Sequence, residues 1–375
     1  MTRLKWNLFG LYTIDAFITI FVIPVCVAFY WRGMWGLLDV YLLPDSPCSS
    51  AGISLITGLV LIVTLNLAQD LHIRLFPYKS LRWYIYSKGF ASVNHWRGLW
   101  DILDCYTERS LLSLSMSVLV ASLFHWLVRT SRTCPNVPTK ASRDNVKHVF
   151  CFYTRFDQKW TNHCVYYLLD MLLTYVIIVS VTVIYWRGMF GTLDLLIFEE
   201  DLTRSAWVSI AIGYTLAVVG TVLQYPAAII SRKVVQKSAF AQLVYEDTFV
   251  YVSAFMSVNV WRGTWYLCDV YILPDEFETS CWITLSVSVV VLYFILAARN
   301  MGGGEFRIDG KPQDGTGVYY EHYFDRLNDI KFKTTIEVPR MMDASTTAKI
   351  VELSGCENVV SREIIMGTEI SSKMN

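Results

Sequence analysis

The sequence predicts an all-α integral membrane protein with eight transmembrane helices, arranged as four parallel two-helix repeats. Three observations carry that expectation: one phrase recurs four times, apolar runs of helical length flank every copy, and basic residues gather in every second connection. The phrase is W-R-G-x-(W/F)-x-x-x-D. It reads Trp31-Arg32-Gly33-Met34-Trp35 ending at Asp39, and Trp96-Arg97-Gly98-Leu99-Trp100 ending at Asp104. The third and fourth copies are Trp186-Arg187-Gly188-Met189-Phe190 ending at Asp194, and Trp261-Arg262-Gly263-Thr264-Trp265 ending at Asp269. The first and last continue alike, into Leu42-Leu43-Pro44-Asp45 and Ile272-Leu273-Pro274-Asp275. Recurrence this strict marks an internal repeat.

Each copy stands between two apolar runs. The pairs are Gly10–Tyr30 with Ile53–Leu71, Leu81–His95 with Leu111–Val128, Cys164–Tyr185 with Ala206–Ile230, and Leu243–Val260 with Cys281–Ala298. A helix needs about 20 residues to cross the hydrocarbon core, and most of these runs supply that. The chain is 54% hydrophobic and 17% charged, too apolar to cover a soluble domain of this length. Leu81–His95 is the weakest run, because Ser87, Lys88 and Gly89 interrupt it. The repeat, not its hydropathy, asks for a helix there. The repeats cover roughly 10–71, 81–128, 164–230 and 243–298, within a transmembrane domain of 1–299. The first run ends in Tyr30-Trp31-Arg32 with no small-residue cleavage site, so it reads as a retained anchor and not a signal peptide.

Basic residues set the expected orientation. Arg3 and Lys5 precede the first run, Arg74, Lys79 and Arg82 lie between the second and third, and Arg232, Lys233 and Lys237 follow the sixth. Seven more, from Arg129 to Lys159, fill the 129–163 connection. By the positive-inside rule these segments and both termini face the cytoplasm, and all four motif copies face outward. The repeats are then related by an axis along the membrane normal. The outer segments are acidic on balance, which favours cations near that face. Beyond Arg299 a Gly302-Gly303-Gly304 break leads into a polar stretch, expected as a cytoplasmic tail over 300–375. In it, Tyr319, Tyr320, Tyr323 and Phe324 make an aromatic cluster, and Thr334–Val338 and Ile350–Leu353 have strand-like character.

A tryptophan at a helix end anchors in the membrane interface, and a neighbouring arginine can snorkel to headgroups. A following glycine can end the helix in a left-handed cap. Those roles account for Trp31, Gly33, Trp96, Gly98, Trp186, Gly188, Trp261 and Gly263, but not for the aspartates. Each motif Arg is expected to pair with a motif Asp of its own or an adjacent repeat, because a guanidinium and a carboxylate in a partly dry interface form a charge-assisted bond. Four such pairs would make a ring, either as structural stitching or as the lining of a path.

A second set of charges falls within the runs. Asp15 and Asp170 each stand sixteen residues before their Trp, and Glu246 and Asp247 stand fifteen and fourteen before Trp261. At about 1.5 Å per residue that is roughly 24 Å, near the inner boundary, where acids favour a helix N-terminus. Lys88 stands eight residues before Trp96, near mid-membrane, and ionisable residues at that depth are functional candidates. Pro24, Gln224 and Pro226 interrupt spanning runs and suggest kinks.

Cys48 and Cys281 lie on the expected outer side, where a bridge between them would join the first repeat to the last. His148, Cys151, His163 and Cys164 lack a recognised zinc spacing, so no metal site is expected. No phosphate-binding glycine loop, nucleophile elbow or histidine pair appears, so neither an enzyme nor a cofactor is expected. The basic loops are explained by topology and imply no nucleic acid.

Four W-R-G repeats in an eight-pass chain with cytoplasmic termini resemble the fuseless family of invertebrate membrane proteins. The resemblance covers about 1–299. It implies a presynaptic plasma-membrane protein that supports neurotransmitter release, linked to voltage-gated calcium channels at active zones. Partners would then dock on the tail and the 129–163 loop. The alternative reading is a channel or transporter for a small cationic substrate, passing along the repeat axis.

Overall fold

A computed structural model describes residues 2–75, 81–144, 154–156, 164–303, 306–309, 316–324 and 327, with side chains described from Gly10 onward except over 69–75 and at Leu81. Among them run eight long helices. Helix α1 comprises Thr2–Phe17, a π-helical turn Ile18–Val22, and Ile23–Tyr41. Then come α2 (Pro47–Leu75), α3 (Leu81–Tyr106) and α4 (Leu111–Leu127). Helix α5 has the same composite form as α1: Cys164–Leu172, a π-helical turn Leu173–Ile178, and Val179–Leu196. Helices α6 (Leu202–Val235), α7 (Ala239–Tyr271) and α8 (Phe277–Phe294) complete the set.

Five of these, among the described residues, are long and apolar enough to cross a membrane: Gly10–Tyr41, Pro47–Ala68, Cys164–Leu196, Leu202–Val235 and Phe277–Phe294. Helix α4 is apolar but shorter. Helices α3 and α7 carry a heavier polar load, including buried Asn94, His95, Glu246, Asp247 and Asn259. They tolerate it because they line the bundle interior. The peripheral helices instead expose apolar side chains, such as Ile56, Val60, Leu119, Val222, Ile229 and Val290. A soluble surface would not carry so many; here they contact the lipid bilayer.

The motif glycines do not end helices. Each motif helix runs on past its Asp, to Tyr41, Tyr106, Leu196 and Tyr271. After α1, α5 and α7 the chain turns through a left-handed residue four positions past the Asp: Leu43 (φ 48°), Phe198 (φ 45°) and Leu273 (φ 48°). The following helices start on side-chain caps where the sequence offers them; Ser110 accepts from the Ser113 N–H and Asp201 from the Arg204 N–H.

The glycines serve close packing. Each motif helix packs most extensively on the peripheral helix that precedes it, α2 on α3, α4 on α5, α6 on α7, and α8 back on α1. The two helices of one sequence repeat are therefore not the packed pair. A methyl group on Gly98 would stand 2.2 Å from the Leu55 amide nitrogen, and one on Gly33 would stand 2.6 Å from the Cys281 carbonyl oxygen. Gly188 and Gly263 meet the Leu114 and Ala206 carbonyls in the same way, at 2.7 and 2.9 Å. Backbone approaches of this kind admit only glycine.

Candidate functional site

The four motif helices enclose an axis lined by two tiers of aromatic rings. In the deeper tier Trp31, Trp96, Trp186 and Trp261 close a square of edge-to-face contacts, with centroids 5.4–5.7 Å apart. One helical turn further on, Trp35 meets Trp100 and Trp265, each at 5.8 Å, and Phe190 meets Trp100 and Tyr266, each at 5.6 Å. Edge-to-face geometry sets the positive ring edge against the negative ring face, which stabilises each pair by about 0.5–1.5 kcal/mol beyond area burial.

Around these tiers runs the Arg–Asp ring. Arg97 Nε donates to Asp39, Arg187 Nε to Asp104, Arg262 Nε to Asp194 and Arg32 Nε to Asp269, each at 2.8 Å. Every Arg reaches the Asp of the preceding repeat, and the first Arg reaches the last Asp. The ring closes head to tail. The arginines are 1–3% exposed, so their other N–H groups also need partners. Arg97 donates to Ser54 and Ser50 at 2.6 and 2.8 Å, Arg262 to Ser209 and Ser205 at 2.6 Å, and Arg187 to Thr107 at 2.9 Å. Headgroup snorkelling is excluded by this burial. Arg32 and Asp39, which share a helix, are not bonded to each other.

A cavity of about 220 Å³ opens within the two tiers, reaching Asp101, Arg109 and Asp194 at its mouth. Asp194 is heavily engaged: besides Arg262 it accepts from Tyr266 at 2.8 Å and Arg109 at 3.1 Å.

The opposite end of the bundle is closed differently. The segments that follow α4 and α8 enter the interior and stop beneath the tryptophans. Trp186 Nε1 donates to the Cys134 carbonyl (2.7 Å), Trp261 Nε1 to Val137 (3.3 Å) and Trp31 Nε1 to Met301 (3.0 Å). The two segments mirror one another. Each leaves its helix through a left-handed residue, Arg129 (φ 58°) and Leu296 (φ 55°), and each is held by an aspartate of the other half. The Asp309 N–H donates to the Arg129 carbonyl (3.1 Å), and its carboxylate accepts the Arg132 N–H (2.8 Å). The Asp144 N–H donates to the Leu296 carbonyl (2.6 Å), and its carboxylate accepts the Ala298 and Arg299 N–H groups (3.1 and 2.8 Å). Thr133 exchanges two bonds with the Arg307 backbone, as Asn300 does with the Ser142 backbone. The result is a reciprocal clasp. Burial pushes the Asp309 carboxyl above its ordinary range, opposed by the Arg132 N–H and the Arg129 guanidinium. Burial, and next the Arg307 charge, pull the Lys140 ammonium down to about 7.

The expected inner-boundary acids belong to this end. Asp170 accepts the Thr154 hydroxyl (2.6 Å) and the Phe156 N–H (2.9 Å), and Asp15 accepts His322 Nδ1 (2.6 Å) and the Phe324 N–H (2.9 Å). They hold chain segments more than they serve helix dipoles. Asp247 accepts from Arg129 at 2.9 Å, and Glu246 accepts from Ser231 at 2.5 Å. Gln224, expected at a kink, accepts the Tyr320 N–H at 3.1 Å. Lys88 is half-buried beside Gly302.

Three expectations need correction. Burial does not stop at 299: Phe306, Val318, Tyr320, Tyr323 and Leu327 lie in the core, so the tail begins later. Nor does the described stretch 129–144 of the expected 129–163 loop lie outside the helical body, since Thr130, Ser131, Thr133, Cys134 and Val137 are buried. Cys48 is bridged to Cys105, not to Cys281, which is buried and free. The bridge ties the start of α2 to the end of α3, a pair already packed together; Cys281 lies instead against Gly36 on α1. His148, Cys151 and His163, Thr334–Val338 and Ile350–Leu353 lie outside the described residues. Among the described residues no group of three or more His, Cys, Asp or Glu side chains could hold a metal ion.

The clasp had a signal in the chain. The dipeptide Phe-Asp recurs as Phe156-Asp157 and Phe324-Asp325, after the two segments in sequence, and Tyr30 and Tyr185 precede the first and third Trp, whereas Asn94 and Asn259 precede the second and fourth by two. In these features alternate copies match, a twofold relation laid over the fourfold one.

No curated protein and no solved structure matches the chain. The family profile described as Fuseless matches residues 10–301, which spans all four motif copies and both segments beneath the tryptophans up to Met301. The chain belongs to the Fuseless family.

Proposed function

We propose that this protein is a non-catalytic, eight-span scaffold of the presynaptic plasma membrane. Its motif end faces outward, both termini face the cytoplasm, and it supports neurotransmitter release by organising voltage-gated calcium channels at active zones. The synaptic role is carried over from the family resemblance. What supports a scaffold over a conduit is the clasp: the carbonyls of Cys134, Val137 and Met301 occupy the axis under the tryptophan tier. A bundle plugged by two interlocked segments suits a fixed platform. Docking then falls to chain outside the plug, chiefly after Leu327. The test is rescue of release by a chain ended after residue 330, with surface labelling to confirm insertion. Loss of rescue by an inserted protein supports tail docking; full rescue counts against it.

A second reading, a transporter for a small cation, is favoured by the outward cavity and by the acidic outer segments. It requires the clasp to open. Purified protein in liposomes should then show flux that Lys88 and motif-arginine substitutions reduce; absence of flux for cations, protons, anions and common transmitters would remove this reading.

A further inference from the structure

We propose that the aromatic cavity at the motif end is a binding site for an organic ammonium cation. This inference rests on the cavity alone and requires neither transport nor the scaffold role. The cavity holds about 220 Å³, below the roughly 300–1,000 Å³ of drug-sized sites, so it suits a small ligand. Its walls are indole and phenyl surface. Of the deeper tier, Trp31, Trp186 and Trp261 have turned their N–H groups away from it and spent them on carbonyls of the clasp. What these three rings leave for a ligand is carbon surface without a hydrogen-bond donor, and any ring face open to the cavity carries the negative side of the ring quadrupole. Such surface attracts cations, more so when they are desolvated, and repels anions.

The polar groups of the lining point the same way. Asp194 is committed to Arg262, Tyr266 and Arg109, and Arg109 is in turn held by Asp194. Asp101 is different. It stands five residues after Trp96, where the other copies place Gly36, Gly191 and Tyr266. Asp101 is the second and more distant carboxylate of Arg97, an ion pair at 3.5 Å, whereas Arg97 makes its hydrogen bonds to Asp39, Ser50 and Ser54. A carboxylate surplus to the repeat, set in an aromatic wall, is the counter-charge that a bound ammonium group requires. An alkylated ammonium also buries its methyl or methylene groups against the rings, which a hydrated metal ion cannot do.

The experiment is calorimetric titration of the purified full chain in nanodiscs with choline and, separately, with its neutral carbon isostere 3,3-dimethyl-1-butanol. Choline should bind saturably and at least about tenfold more tightly than the isostere, a difference within the reach of a desolvated cation–π contact. Asp101→Asn should weaken choline about tenfold and leave the isostere unchanged. Equal binding of the two compounds, or no binding of choline, overturns the proposal. So does an Asp101→Asn protein that melts like the parent and binds choline equally well. If that variant fails to fold, the comparison of the two compounds on the parent protein decides alone.

Discussion

The two ends of this bundle close around one axis by different symmetries. At the motif end, four short helix ends contribute the same Arg, Asp and aromatic ring, and each copy satisfies the next. At the far end, two long segments interlock, each held by an aspartate of the other half. The difference follows from what each end must satisfy. A ring of paired side chains can be assembled from four identical helix turns, because each needs only one neighbour. Filling the axis with backbone needs chain that carries its own hydrogen-bonding groups, and each buried N–H and C=O must find a partner. Two segments, each supplying the other's caps, meet that demand.

The comparison can be broken most severely by truncation. A chain ended before Phe306 loses Phe306, Asp309, Val318, Tyr320 and Leu327, and with them half of the clasp. It should fail to give a monodisperse protein on size-exclusion chromatography, whereas a chain ended after residue 330 should elute like the parent. Equal behaviour would mean that the far end does not hold the fold.

The ring comes next in expected size. Removing one partner of a buried pair strands a charge and costs about 3–5 kcal/mol. Asp39→Ala leaves the buried Arg97 guanidinium without that carboxylate and should therefore lower the melting temperature more than Asp39→Ala combined with Arg97→Ala. A double-mutant cycle should give coupling for Arg97 with Asp39 and for Arg32 with Asp269, but none for Arg32 with Asp39, which share a helix. Coupling within one repeat would contradict the head-to-tail closure.

Cys105→Ser should cost about 2–4 kcal/mol, and Cys48→Ser the same, since either removes one cross-link. Mass spectrometry of the alkylated protein should show Cys281 labelled only after unfolding and without prior reduction. A Cys281-containing bridged peptide would reverse the assignment.

The smallest expected effect concerns packing at Gly33 and Gly98. Alanine there forces α1 off α8 or α3 off α2, at about 1–3 kcal/mol for overpacking. The same change at Gly52, which has nothing within 4 Å of an added methyl group, should be neutral or slightly stabilising. Thermal melts of the three variants compare a close contact with an open position on the same fold.

Much of the motif end was legible in the chain. The strict recurrence of Arg and Asp pointed to pairing, because two charges kept in register through four copies must answer each other. W-R-G at the edge of an apolar run has the form of a cap, so the sequence alone points to glycines that end helices. The helices in fact continue, and the glycines answer backbone from another helix, which no local pattern reveals. The far end is the least legible in the sequence. Segments 129–144, 306–309 and 316–324 are polar enough to pass for solvated chain, and their buried residues are held where they satisfy one another's polar groups. His322, Thr154, Asp309 and Asp144 carry no motif; their roles depend on partners between 16 and 307 residues away.

By itself the sequence determined that the chain is helical and apolar, that one phrase recurs around it, and that each Arg must find an Asp. Periodicity, composition and the cost of an unpaired charge suffice for that. Which Asp, which helix pairs pack, which cysteines join, and that Phe306, Val318, Tyr320, Tyr323 and Leu327 of the expected tail belong to the core were decided only by tertiary structure. These are choices among chemically equivalent partners, and only the closure of the chain around its axis tells them apart.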